Sequence, residues 1–443
     1  MQLSISNRDI IKLAAPIALA MLIPQISFMT DTVFLGRLGE QELAVNGMAG
    51  IFYMILAMVG HGLTSGIQVQ LSRRAGENNY TGVARTFTNG VMLCLLFGLA
   101  IMSVSVFLAP ILFEMTLHDS VNAKLSAQFL EVRAMGIPFL MLTQLANAFY
   151  IATGQSKYLI HGSIVGNLVN IVLDYGLIFG KLGLPEMGLV GAALASVIGE
   201  VAFGITMFSI FYIKKMQVKF PIFSTRKFDL QLAKRSLIIS SPLILQFVFS
   251  IGGWQVFFIF VEHLGTRELA ASQILRSVIG IAGIGLWSLA SACNTMAGNV
   301  MGQGKQRLVI PVAIRISKLA VIYALGLCIL LNLFAYEFLA LYRNEHELIE
   351  FAIPSLRIIS ISSIIMGVAT VLFNAVIGTG NTRANFIIEV ICVGSYLVYC
   401  YIAIERMHLS LTWAWASEFV YWGSLVLISY LYLRSGRWKG KAV

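Results

Sequence analysis

Residues 38–44 read Leu-Gly-Glu-Gln-Glu-Leu-Ala, and residues 264–270, 226 positions further on, read Leu-Gly-Thr-Arg-Glu-Leu-Ala. Five of the seven positions are identical. The same shift, without a gap, sets Pro16 on Pro242, Gly76 on Gly302, and Thr153-Gly154-Gln155-Ser156-Lys157 on Thr379-Gly380-Asn381-Thr382-Arg383. Chance matches do not keep one register over that distance, so the chain is a duplication. Residues 1–213 form an N-lobe and 235–443 a C-lobe, joined by the basic linker 214–234.

Each half is a series of apolar runs. Of the 443 residues, 58% belong to the set AVILMFWYC and 12% are charged, where a soluble domain has roughly 45–50% and ~25%. So few charges cannot coat a water-facing surface. The chain is therefore an integral membrane protein, and a soluble enzyme, a disordered chain and a secreted disulfide scaffold are excluded. A span takes about 20 apolar residues, because the hydrocarbon core is ~30 Å thick and a helix rises ~1.5 Å per residue. Twelve such runs are present, near 10–35, 43–70, 87–113, 132–152, 158–180, 188–213, 236–261, 269–299, 309–333, 351–377, 384–404 and 412–433. The alternating pattern of a β-barrel is absent from them. The predicted fold is all-α, with twelve transmembrane helices in two lobes of six. Six is even, so both lobes enter the bilayer in the same direction and are related about the membrane normal, the parallel-repeat plan of secondary transporters, with a cleft between like halves. The first run holds Asp31 and lacks a small-residue cleavage signature, so it reads as mature structure.

The net charge of +10 lies mostly in short loops. With the N-terminus in the cytoplasm, 22 of the 31 Lys and Arg fall on the cytoplasmic side and seven outside, Arg133 among the seven. The excess places both termini in the cytoplasm, in a cell (inner or plasma) membrane. It also explains the basic charge without a nucleic-acid partner. Cys94, Cys293, Cys328, Cys392 and Cys400 sit inside apolar runs without C-x-x-C spacing and read as packing residues.

A carboxylate inside a span is costly and is a functional candidate by default. Five qualify: Asp31, Asp174, Glu200, Glu389 and Glu418. Counted from the outer ends of their spans, Asp31 lies ~7 Å deep, Asp174 ~9 Å, Ser196 ~12 Å and Asn170 ~15 Å. These four groups share one slab of the N-lobe, and Asn170 and Asp174, four apart, share a helical face. Two carboxylates, an amide and a hydroxyl in such a pocket either share a proton, since like charges that close do not both ionise, or give hard oxygens to a small cation such as Na⁺. The plainer alternative is that Asn170 and Asp174 bond one another as glue between helices. Glu200, one turn from Ser196, is a proton relay, a cleft residue or a structural hydrogen-bond acceptor. His61 reads as structural. Equal depths, ~9–10 Å, make Glu418, Arg276 and Arg357 an expected ion pair or triad, and Glu389 is expected to snorkel to the interface. Pro16 and Pro24 remove backbone hydrogen bonds from the first span, which can then bend when the charge on Asp31 changes. Gln25, Phe28, Met29, Asn147, Trp254, Met366 and Phe373 are the expected substrate-cleft residues, an aromatic and Met-rich set suited to flat cations. No H-E-x-x-H or G-x-S-x-G occurs, and His346-Glu347-Leu348-Ile349-Glu350 has Glu where the zinc motif needs His. The expectation is a monomeric transporter with small-molecule substrates, neither an enzyme nor a cofactor protein.

Over nearly its whole length the chain resembles the multidrug and toxic compound extrusion (MATE) family, of the DinF-like type. The resemblance is carried by Asp31-Thr32-Val33-Phe34-Leu35-Gly36-Arg37-Leu38-Gly39, the turns Thr153-Gly154-Gln155 and Thr379-Gly380-Asn381, Asn170-Ile171-Val172-Leu173-Asp174, and Gly191-Ala192-Ala193-Leu194-Ala195-Ser196. It implies a two-lobed antiporter expelling cationic or amphipathic compounds in exchange for H⁺ or Na⁺. It also implies an N-lobe cation site at Asp31, Asn170, Asp174, Ser196 and the backbone carbonyl of Ala192, with Ser196 standing where Thr is commoner. Another branch of the family carries acids in spans 7 and 10. Here those spans hold none but Glu262 at the rim, so coupling is expected to rest on the N-lobe. The rival within the same superfamily is a flippase for lipid-linked precursors. Such a protein should line its cleft with cations for pyrophosphate, and the N-lobe spans are expected to hold none beyond their ends.

Overall fold

The structure is a computed structural model that describes residues 2–117, 119–222, 228–342 and 345–440. Four cations counted in the charge asymmetry, Arg226, Lys227, Arg343 and Lys441, lie outside the described residues, as do linker residues 223–227. The described residues form helices and turns without a strand. The first half contains α1 (Asn7–Leu38), α2 (Glu40–Gly76), α3 (Tyr80–Thr116), α4 (Ser120–Ala134), α5 (Ile137–Ala152), α6 (Leu159–Phe179) and α7 (Gly188–Ile213), followed by the short α8 (Met216–Lys219). The second contains α9 (Leu230–Leu264), α10 (Thr266–Ala282), α11 (Ile284–Gly302), α12 (Val309–Leu333), α13 (Ala335–Ala340), α14 (His346–Gly378), α15 (Thr382–Cys400), α16 (Leu411–Trp415) and α17 (Ser417–Ser435).

Ten helices are long and apolar enough to cross a membrane, and twelve spans result when α4 with α5 and α10 with α11 each count as one bent span. Both pairs bend by 46°. Their causes are local. Between α4 and α5 stands Met135-Gly136-Ile137-Pro138, and Pro138 in the first turn of α5 lacks the N–H that would continue α4. Between α10 and α11, Gly280, Gly283 and Gly285 fall within six residues, which weakens the helix. Each half also turns after its Thr-Gly-Gln or Thr-Gly-Asn on a left-handed glycine, Gly154 at φ 72° and Gly380 at φ 86°, a conformation that disfavours a Cβ.

The chain packs as two compact units. One comprises Leu19–Ile244 and the other Gln2–Ala18 with Leu245–Val443. Each unit boundary falls two residues past a proline, Pro16 in α1 and Pro242 in α9, so the two boundaries obey the repeat shift as well. In the first unit α9 lies close on α2, where a Cβ on Gly62 would stand 2.6 Å from the Ile244 Cα and one on Gly66 2.8 Å from the Ser240 Cα. Ser240 Oγ donates to the Leu63 carbonyl there at 2.9 Å. In the second unit Leu3 N–H donates to Asn299 Oδ1 at 3.0 Å, and Arg315 Nε donates to Asn7 Oδ1 at 2.9 Å. The cysteines are free, four of them buried. Helix α1 runs unbroken through Pro16 and Pro24.

Candidate functional site

In the first unit three helices converge on the sequence-predicted acids. Ser27 and Asp31 are four apart on α1, and Asn170 and Asp174 four apart on α6, so each pair points to one side of its helix. Ser27 Oγ donates to Asn170 Oδ1 at 2.5 Å, and Asn170 Nδ2 donates to Asp174 Oδ2 at 2.9 Å. The Asp31 and Asp174 carboxyls approach closely enough to interact. Asp174 is fully buried, and one oxygen of each aspartate, Oδ1, is enclosed without a donor. Ionised carboxylates only accept hydrogen bonds, so two facing carboxyls can bond one another only by sharing a proton.

Small residues let α7 close against this line. A Cβ on Gly191 would stand 2.7 Å from the Leu177 carbonyl oxygen, and one on Gly199 2.9 Å from both the Gly166 carbonyl oxygen and the Asn170 Cβ. These two crossings bracket Asp174 along α6, and Ala192 and Ser196 lie between them on α7. Ala192 is buried and Ser196 half-buried, and Ser196 joins none of the hydrogen bonds above. The sequence reading missed Ser27, although its spacing of four from Asp31 repeats that of Asn170 and Asp174.

A second cluster lies beside the first. Arg133 Nη1 contacts Glu200 Oε1 at 2.8 Å and donates to Tyr53 Oη at 3.0 Å, while Tyr53 Oη donates to the same Glu200 oxygen at 2.7 Å. The guanidinium carbon stands 3.9 Å from the Tyr53 ring centroid. Its charge also attracts the Asp31 and Asp174 carboxyls. Two expectations are corrected by this cluster. Arg133 is not in an outer loop, because the Gly-Pro break lets α4 form the first part of a bent span, and the N-lobe spans therefore do hold a cation. That cation is neutralised by Glu200.

The second unit corrects two more. Glu389 does not snorkel but is 1% exposed, with Oε1 accepting from Tyr421 Oη at 2.8 Å and from Ser250 Oγ, and with Oε2 unpartnered. Among the described residues Glu418, Arg276 and Arg357 form no ion pair. Glu418 instead accepts from Trp422 Nε1 at 2.6 Å, and Arg276 stacks over Trp254 and Phe258, 4.9 and 5.3 Å from the ring centroids. Two of the expected cleft residues, Trp254 and Met366, line a cavity of about 260 Å³ in this unit. Phe373 is buried in α14, Asn147 half-buried on α5, and Gln25, Phe28 and Met29 are exposed on α1.

Comparison with known proteins agrees with this architecture. The MatE family model matches residues 16–176 and 242–402, two stretches whose starts are 226 positions apart. A probable multidrug resistance protein NorM of Thermotoga maritima is 24% identical over 99% of this chain and 94% of its own length. A multidrug resistance protein NorM of Burkholderia vietnamiensis is 27% identical over 67% of this chain and 64% of its own. Among solved structures, the outward-facing conformation of a multidrug resistance MATE family transporter of the MOP superfamily shares the fold at TM-score 0.90, covering 98% of this chain and 97% of that one at 17% identity. With the family model covering both halves of a duplicated, all-helical membrane chain, the protein belongs to the MatE family of transporters.

Proposed function

We propose that this chain is a multidrug efflux antiporter that expels cationic or amphipathic compounds in exchange for a proton, with Na⁺ as the alternative coupling ion. The observation that supports the reading is the approach of Asp31 to the buried Asp174, a pair of carboxyls suited to sharing one proton. Removal of that proton leaves two facing negative charges in a poorly solvated place, and the segment of α1 bearing Asp31 must then move, or a cation must enter. Pro16 and Pro24, below Asp31 on the same helix, are where α1 yields. Ion entry supplies ~2.3 kcal/mol per charge per 100 mV, plus ~1.4 kcal/mol per pH unit for a proton. Efflux follows if ion and drug bind reciprocally, in an alternating-access cycle with both termini in the cytoplasm of a plasma or inner membrane.

The lipid-linked-precursor flippase is less well supported. Its pyrophosphate cargo needs free cations, and Arg133 is already engaged by Glu200 and Tyr53. The test is drug efflux from proteoliposomes under a pH gradient and, separately, a Na⁺ gradient. Efflux driven by neither gradient overturns the antiport reading. A cysteine introduced at the exposed Val218 should react only from the cytoplasmic side and one at the exposed Val121 only from outside; labelling of both from one side would reject the orientation.

A further inference from the structure

The 226-position shift carries Phe28 to Trp254, Asn170 to Tyr396, Ala192 to Glu418 and Ser196 to Trp422. All four C-lobe residues line the cavity of about 260 Å³ in the second unit. Asn170, Ala192 and Ser196, small side chains in the N-lobe, are therefore replaced in the C-lobe by the larger Tyr396, Glu418 and Trp422 of this pocket. Trp287 and Tyr421 complete its walls, and Glu418 is its carboxylate.

We propose that this cavity is a binding site for flat organic cations, the ring system lying among Trp254, Tyr421 and Trp422 and the charge facing Glu418. The proposal rests on the multidrug reading and adds to it the place in the C-lobe where the cation binds. Three features favour a cation. Glu418 has a hydrogen bond from Trp422 but no ion-pair partner among the described residues, and Glu389 lies behind the wall, bonded to Tyr421 and Ser250. Glu418 is the carboxyl in the lining, and a cation beside it favours its ionised form. The Tyr396 ring adds a further aromatic face to the wall, and such faces attract cations. The wall also already accepts a cation, since Arg276 stacks on Trp254. The Arg276 charge opposes a second cation, so binding rests on the Glu418 carboxyl and on the indole faces, which attract organic cations strongly when water is excluded. An apolar flat ligand gains only the aromatic contact, and an anionic one is opposed by Glu418.

The experiment uses the purified full chain in lipid nanodiscs and follows the fluorescence of N-methylacridinium, whose charge is fixed, against acridine at pH 8, its uncharged analogue. Wild type should bind N-methylacridinium saturably. Glu418→Gln should weaken that binding about tenfold or more, leave acridine binding within about twofold, and be largely rescued by Glu418→Asp. Should Glu418→Gln not fold, Trp287→Leu, on the partly exposed wall, should weaken binding several-fold. Unchanged affinity in Glu418→Gln or, failing that variant, in Trp287→Leu overturns the C-lobe site while leaving the multidrug reading intact. A wild-type protein that neither binds nor exports organic cations overturns the multidrug reading itself.

Discussion

The two halves of this chain have parallel helices and opposite interiors. Ser27, Asn170 and Asp174 make a buried line of hydrogen bonds beside Asp31 in the N-lobe, while the positions 226 on from Asp31, Asn170 and Asp174 are Phe257, Tyr396 and Cys400, where Phe257 and Tyr396 meet as rings 5.8 Å apart. The bends are exchanged too. The second span is straight as α2 in the N-lobe and bent as α10 and α11 in the C-lobe, while the fourth is bent as α4 and α5 in the N-lobe and straight as α14 in the C-lobe. Local residues account for it. Pro138 corresponds to Ile364 and Gly283 to Ala57, so each half lacks the helix breaker where its span runs straight. Duplication kept the span plan and the Gly turns, and divergence of a few buried side chains gave one half a cluster of carboxyl, amide and hydroxyl groups and the other an aromatic cavity.

The sharpest way to break this division of labour is to neutralise Asp31. Asp31→Asn should abolish ion-coupled efflux and drug resistance with normal expression, because an amide cannot release the proton on which exchange depends. Phe257→Leu, at the corresponding C-lobe position, should leave coupled efflux largely intact. Near-wild-type efflux by Asp31→Asn, measured in proteoliposomes, would remove the N-lobe from the mechanism.

A smaller but still large effect is expected at the Arg133–Glu200 pair, which the C-lobe replaces with Ile359 and Val426. Glu200→Gln leaves a largely buried guanidinium without its counter-charge and should cost about 3 kcal/mol. Arg133→Ile combined with Glu200→Val, which borrows the C-lobe residues, should recover most of that loss, since an apolar pair of similar volume replaces a buried ion pair at little cost. A double-mutant cycle on thermal unfolding in detergent decides the point. Losses that simply add would mean that the pair carries no coupling energy.

How much of this was legible in the sequence follows from which features are local. The duplication, the twelve spans and the meeting of Asp31 with Asn170 and Asp174 came from register, hydropathy and spacing, all of which read along one helix at a time. Arg133 was misplaced because α4 has few apolar residues, so the hydropathy run began at its far end, near residue 132. Glu389 was misplaced because sequence depth measures distance from the end of a helix and carries no information on which neighbours, here Ser250 and Tyr421, close over a side chain. The cavity beside Glu418 was invisible for the same reason. Its walls come from residues 250 to 422, and only the fold brings them together.

The two lobes should also differ in their response to pH. If proton and drug exclude one another, drug affinity falls as pH falls, by at most about tenfold per pH unit for one proton. Asp174→Asn should move the midpoint of that fall by about a pH unit or more, because the asparagine neither shares the proton nor repels Asp31. Cys400→Ser, the C-lobe counterpart, should leave it in place. Drug binding against pH for wild type and both variants is the measurement; a midpoint unmoved in Asp174→Asn would show that the two aspartates do not act as one site.

The smallest effect, and the one that bears most closely on ion choice, is expected at Ser27, whose C-lobe counterpart is Gly253. By donating to Asn170 Oδ1, the Ser27 hydroxyl fixes the amide with Nδ2 toward Asp174, so Asn170 supplies a donor to the aspartate pair and its oxygen faces away. A donor suits a carboxylate that exchanges protons, whereas a bound Na⁺ asks for oxygens. Ser27→Ala removes the group that holds this orientation, a net loss of about 1 kcal/mol or roughly fivefold, and frees the amide to turn Oδ1 toward the aspartates. Proton-driven efflux should therefore fall a few-fold while Na⁺-driven efflux falls less or rises, and Ser27→Thr should preserve the wild-type ratio. The readout is the ratio of the two rates in the same proteoliposomes. A ratio unchanged in Ser27→Ala would mean that the amide orientation does not set the ion, leaving the aspartate pair alone to do so.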